Sequence, residues 1–191
     1  MLLVNLDIFP NVFWEEEKNA RLQKQNHLNS RKRNAREVPE NMDAGNVEKE
    51  TNSLENFVGI FYLNMLPNLK LVSFPCSLIV LTHQHWISIF ISDSSIEIMD
   101  SMGYISDRKF SKYLQIFLSA HLLDKTLLLT PKIQSDDSNL CALYSVCFLY
   151  FRTLSCGNLC DFCRLFSNDF QENCHIISKL FINLKEINNK K

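Results

Sequence analysis

Three side chains in this sequence, Cys141, His85 and Asp100, are of the types that together perform nucleophilic catalysis. A thiol attacks only as its thiolate. It therefore needs an environment that favours the anion at neutral pH, a base to carry its proton, a group to hold that base, and donors for the oxyanion that forms. Cys141 follows a polar loop, Gln134 to Asn139, and opens the apolar run Leu140 to Phe151. If that run is a helix, the unpaired amides and the dipole at its start favour a thiolate at Cys141. Cys147 lies deeper in the same run and gains none of this.

His85 and Asp100 lie on either side of a polar pair, Asp93-Ser94, that separates two strand-like segments. His85 to Ser92 (HWISIFIS) is β-branched and aromatic, and Ser95 to Asp100 (SIEIMD) alternates with period two. With the turn centred on Asp93-Ser94, Ser92 faces Ser95. Opposed residue numbers then share one odd sum, which sets Ile87 opposite Asp100. Because His85 and Ile87 point to the same side of their strand, His85 and Asp100 become diagonal neighbours on one face, with Cβ atoms about 7 Å apart. An imidazole and a carboxylate bridge that gap; an even sum would have sent them to opposite faces. By the same parity Glu97 points away from His85. Asp93 sits solvated in the turn, so neither of these acids is expected to orient the imidazole.

The elements that must position these residues follow from the rest of the chain. Its 191 residues, 46% hydrophobic, suffice for one domain and a tail. A formal charge of −1 gives the whole chain no electrostatic reason to seek nucleic acid or anionic lipid. The apolar first fourteen residues lack a basic flank and a small-residue cleavage site and run into Glu15, Glu16 and Glu17, unlike a signal peptide. The run at Leu140 is too short to cross a bilayer. The expectation is an intracellular, unsecreted protein with no membrane partner and its seven cysteines reduced.

Residues 1–53 are expected to form an N-terminal arm, largely disordered, with Glu, Lys, Arg, Asn and Gln dominating 15–53. Within it Arg31, Lys32 and Arg33, with Arg36 nearby, are either a solvated charge run balanced by neighbouring Glu or a nuclear address and a weak DNA contact. The folded domain is expected over 54–188. Ser77 to Thr82 and Thr126 to Thr130 read as strands. A helix capped at Ser106-Asp107 places Phe110, Tyr113, Leu114, Phe117 and Leu118 on one stripe. Leu140 to Leu154 reads as a buried helix, and a last helix from about Asp169 to Glu186 carries Phe170, Cys174, Ile177, Leu180, Phe181 and Leu184. Cys156, Cys160 and Cys163, with Cys174 and His175, invite a zinc reading. Cys160 and Cys163 fall in an apolar, helix-like segment without knuckle geometry, so no metal ligands are assigned.

The motifs resemble a known family. His-Trp at His85-Trp86, Asp-Ser-Met-Gly at Asp100 to Gly103, and Gln134 seven residues before Cys141 are similar to the adenovirus protease (adenain) family. The proteases of Polinton or Maverick elements share this pattern, and the SUMO-deconjugating proteases do so more distantly. Phe57-Val58-Gly59 and Leu66-Pro67 resemble the entry to the adenovirus domain, so the likeness spans about Phe57 to Tyr150. It implies a papain-like α+β fold, with a mixed central sheet built between about Leu69 and Thr130 and packed by helices. It implies a cysteine endopeptidase with Cys141 as nucleophile, His85 as base, Asp100 orienting it and Gln134 donating to the oxyanion. Trp86 would shield the imidazole and contact substrate.

The same resemblance implies a polypeptide substrate with a small residue, often Gly, at the cleavage position, and maturation of viral or virus-like capsid or core precursors in the nucleus or virion by a monomer. No cofactor is required by the chemistry; an activating peptide or nucleic acid enters by family analogy alone. Deconjugation of SUMO-type proteins is the alternative. Two departures stand out. Ala142 follows the nucleophile where the family has Gly, which brings a methyl group near the oxyanion site and leaves open a catalytically decayed binding module. No cysteine lies between Cys76 and Cys141 to tether an activating peptide.

Overall fold

The hairpin register that links His85 to Asp100 is present in the computed structural model: Ser88 opposes Met99, Ile89 opposes Ile98, Phe90 opposes Glu97 and Ile91 opposes Ile96. The described residues are 42–82, 84–105, 112–122, 124–155 and 157–190. The basic cluster Arg31 to Arg33, the helix start at Ser106-Asp107 with Phe110, and Cys156 lie outside them.

The fold is α+β. Strands β1 (Phe57–Tyr62), β2 (Cys76–Thr82), β3 (His85–Ile91), β4 (Ser95–Met99) and β5 (Thr126–Leu129) form one sheet in the order β1-β2-β3-β4-β5. The outer pairs are parallel and the inner ones antiparallel, so the sheet is mixed. Ser92 starts the turn into β4: its amide donates to the Ser95 carbonyl at 2.9 Å and its hydroxyl accepts from the Ser95 amide at 3.0 Å. β1 lies upstream of the segments expected to make the sheet. Its pairing with β2 shifts between Phe57 and Gly59, and that irregularity blurs the alternation by which a strand is recognised.

Alternation divides the sheet into two apolar faces. On one, Leu78, Val80, Ile87, Ile89, Ile96 and Ile98 pack on helix α2 (Lys112–His121) through Leu114, Phe117 and Leu118. Tyr113, placed on that stripe by its spacing, is exposed instead. On the other, Ile79, Trp86, Phe90 and Met99 meet helix α3 (Cys141–Leu154). Behind α3 lies the C-terminal helix (Phe170–Asn188), whose Ile177, Leu180, Phe181 and Leu184 complete that core. α3 is sandwiched between sheet and helix, which is why its sequence is apolar all round.

A helix lies upstream of the boundary expected at residue 54. Asp43 caps a helix, α1 (Ala44–Thr51), by accepting from the Asn46 amide at 2.8 Å. Met42, Val47 and Thr51 are buried in it, and the Tyr150 hydroxyl donates to the Glu50 carbonyl at 2.9 Å. The segment reads as loose because its charged residues dominate. Its order comes from one apolar edge that only the folded domain can cover.

Glu97, on the α3 face of the sheet, anchors a buried polar network. Its carboxylate meets Arg152 of α3 at 3.2 Å and accepts from the Leu159 amide at 2.8 Å. That amide opens a short helix, α4 (Leu159–Cys163). The Arg152 guanidinium covers the Phe90 ring at 4.1 Å and donates to the Gly157 carbonyl. Burial pushes the Glu97 carboxyl upward, and the Arg152 charge and the Leu159 amide oppose that. Glu97→Ala is expected to cost about 3 kcal/mol of stability in urea unfolding, because it strands a buried guanidinium, while leaving the chemistry of Cys141 intact. A chain begun at residue 54 is expected to melt well below one begun at 38, since burying a residue such as Val47 contributes about 2 kcal/mol.

Candidate active site

The residues that could do chemistry meet at the start of α3. Leu140, at the helix's N-cap position, has no side chain able to accept from the first-turn amides, so those donors stay available. The Ala142 and Trp86 amides lie close enough to the Cys141 sulfur to help lower its pKa. His85 is the first residue of β3.

Asp100, just past the end of β4, has its carboxylate fully engaged. Oδ1 accepts from His85 Nε2 at 2.7 Å and from the Met102 amide at 3.2 Å; Oδ2 accepts from the Ile105 amide at 2.7 Å. Its backbone amide donates to Thr130 Oγ1, whose own proton goes to the Ile98 carbonyl. A carboxylate cannot donate, so the proton of the His85–Asp100 bond sits on Nε2. Nδ1 is then the nitrogen left to exchange a proton with Cys141. It is buried and has no hydrogen bond of conventional geometry among the described residues, yet it lies close enough to the thiol for the two groups to shift each other's titration.

Electrostatics favour an ion pair. Burial alone lowers the affinity of His85 for its second proton, but the bond to Asp100 and the Cys141 charge outweigh it and raise the pKa to about 9. Burial raises the Cys141 pKa. The nearby His85 imidazole and its charge, with the Trp86 and Ala142 amides, bring it below the ordinary thiol value. The contrast with other cysteines is sharp: burial holds Cys147 well above that value and pushes Cys163 up to about 12 and Cys76 to about 11.

Gln134 is fully buried and held at both ends of its amide. Oε1 accepts from the Ser101 hydroxyl at 2.5 Å, and Nε2 donates to the Ser138 carbonyl at 2.6 Å, in the loop that leads to Cys141. The second N–H of Nε2 is the one that an oxyanion would use. Trp86, expected to contact substrate, has little exposed surface. It is 8% exposed and belongs to the core between sheet and α3, so its contribution to the site is its backbone amide. The Ala142 methyl is likewise buried in that core.

Tyr104 escapes the sequence reading, and Gly103 enters it only as the last residue of the Asp-Ser-Met-Gly motif. Tyr104 presents its ring edge-on to His85, centroids 5.4 Å apart, and stays about half exposed. It covers the imidazole from the solvent side, a place that no spacing rule announces. Gly103, at φ 71°, turns the chain after Asp100; a Cβ there would stand 3.0 Å from Lys132 atoms, so only glycine fits. Asp136 is paired with Lys132 at 2.7 Å on the surface, as a solvated loop carboxylate would be. Among the described residues, no cluster of His, Cys, Asp and Glu has the form of a metal site.

Near neutral pH Cys141 is expected to react with iodoacetamide faster than every other cysteine, exposed Cys160 included, by peptide-mapped mass spectrometry. His85→Ala should remove that advantage. Labelling spread evenly over several cysteines would show that the ion pair does not form.

No protein-family model matches this chain, and no curated protein is similar to it in sequence. Among solved structures, the C-terminal protease domain of Ulp1, in complex with Smt3, the yeast orthologue of SUMO, is similar to it with a TM-score of 0.48 and 13% identity, over 92% of this chain and 96% of that one. At that identity the likeness is one of backbone course, and it assigns no role to any residue.

Proposed function

We propose that the chain is a cysteine endopeptidase acting by acyl transfer. The observation that carries this reading is the line Asp100 Oδ1, His85 Nε2, His85 Nδ1, Cys141 Sγ. One imidazole nitrogen is committed to a buried carboxylate at 2.7 Å and the other is left facing a thiol whose pKa is lowered. In the first step the Cys141 thiolate attacks the scissile carbonyl carbon, and the C=O electron pair moves onto oxygen, which accepts from the Cys141 amide and Gln134. As the C–N bond breaks, His85 Nδ1 gives its proton to the leaving amine, and a thioester remains. Nδ1 then takes a proton from water, whose oxygen attacks the thioester. Collapse releases the carboxylate product and restores the thiolate. Asp100 holds the imidazole in the required tautomer throughout.

Access to the sulfur is narrow: Cys141 is 8% and His85 9% exposed. That narrowness favours an extended substrate with small side chains at the cut, in keeping with the resemblance to the adenovirus and Polinton proteases. On that resemblance we assign precursor maturation in a virus-like particle as the role, with SUMO-type fusions as the competing substrate. Incubation with tagged capsid precursors carrying Gly at the cut, alongside SUMO and ubiquitin fusions, separates the two; cleavage of the fusions alone would reverse the assignment.

Cys141→Ser should abolish cleavage with little change in melting temperature. Asp100→Ala is expected to lower kcat at least about a hundredfold. Because the His85 pKa is raised to about 9, the imidazolium is present below that pH and lost above it. Peptide kcat/KM should therefore fall as pH rises through about 9, while Cys141 alkylation, which needs no acid, should not. A protein whose Cys141 labels slowly and which cuts none of these substrates would be a decayed binding module.

A further inference from the structure

We infer that Ser101 is a positioning residue for the oxyanion donor, an inference that rests on the protease reading and acts through Gln134. A glutamine amide has two ends of opposite character, and an oxyanion is stabilised only if nitrogen, not oxygen, faces it. Here the Ser138 carbonyl, which only accepts, fixes the nitrogen end, and the Ser101 hydroxyl, able to donate or accept, donates to the oxygen end. The Ser101 hydroxyl meets Oε1 at 2.5 Å; because Oε1 only accepts, the hydroxyl must donate. The Ser138 carbonyl, which also only accepts, meets Nε2 at 2.6 Å. Ser101 and Gln134 are both buried, so the bond between them is not shared with bulk water, and loss of the hydroxyl leaves Oε1 without a donor.

Ser101 holds more than the amide. Its carbonyl accepts from the Ile133 amide at 2.9 Å and the Gln134 amide at 3.0 Å, which clamps the backbone of the Gln134 loop to the turn carrying Asp100. From the other side, buried Asn173 donates to the Ile133 carbonyl at 2.9 Å. The backbone is thus fixed by groups that a change of the Ser101 side chain does not remove. The hydroxyl's separate contribution is to satisfy Oε1 and so hold the Gln134 amide in the orientation that the Ser138 carbonyl selects.

Two rates in Ser101→Ala test this, because one uses the oxyanion and the other does not. Peptide kcat should fall about tenfold or more with KM within about threefold, while the rate of iodoacetamide alkylation at Cys141 stays within about twofold of wild type. In a Gln134→Ala background, assayed on an activated ester to keep the rate measurable, adding Ser101→Ala should change kcat little. Unchanged kcat in the single variant, an alkylation rate that falls with it, or full additivity in the double variant would overturn the inference. Should Ser101→Ala not fold, Ser101→Cys, with a similar volume and a weaker donor, is held to the same outcomes. Failure of the protease reading looks different: the wild-type protein itself then turns over neither peptide nor ester.

Discussion

The bond between His85 Nε2 and Asp100 Oδ1 exists because β3 and β4 pair with one odd register, and that register is set by a turn of two residues. Everything else at the site hangs on it. A slip of one residue would carry Asp100 to the α3 face, away from the imidazole, and turn Glu97 to the opposite face, since successive side chains alternate across the sheet. The slip is opposed on both faces. Ile96 and Ile98 would leave one core, and Glu97 would abandon Arg152 and the Leu159 amide in the other. Burying a carboxylate on the α3 side thus makes one register far better than its neighbours.

The turn after β4 does two jobs. Asp100 presents its carboxylate to His85, and the next residue, Ser101, ties down the loop that carries Gln134. Gly103 permits the close approach to Lys132 that brings the two loops together. One short segment thereby fixes the geometry around both His85 and Gln134. Charge at the site follows the same economy of parts: an uncapped helix start supplies amides to Cys141, and the imidazolium that Asp100 stabilises supplies the counter-charge.

Much of this was written in local patterns. Period-two alternation, a polar dipeptide and parity arithmetic suffice to put His85 and Asp100 on one face, because a two-residue hairpin leaves no freedom of register. The helix beginning at Cys141 follows from a polar loop meeting an apolar run, and the contrast between Cys141 and Cys147 follows from their places in that helix. What decides between separate packed layers is absent from such patterns. α1 looked unfoldable from its charges, and Tyr113 looked buried from its spacing; in each case the answer depended on which surface arrived opposite.

By itself, then, the sequence determined the alternation of the strands, the hairpin register and the nature of the helix that starts at Cys141, all of which are local because backbone geometry dictates them within a few residues. Only the tertiary structure decided that Trp86 offers an amide rather than a ring, that Tyr104 covers His85, and that Ser101 and Ser138 orient Gln134. These are contacts between residues far apart in the chain or set by loop conformation. Their geometry depends on how whole elements pack, and no spacing in the sequence encodes that.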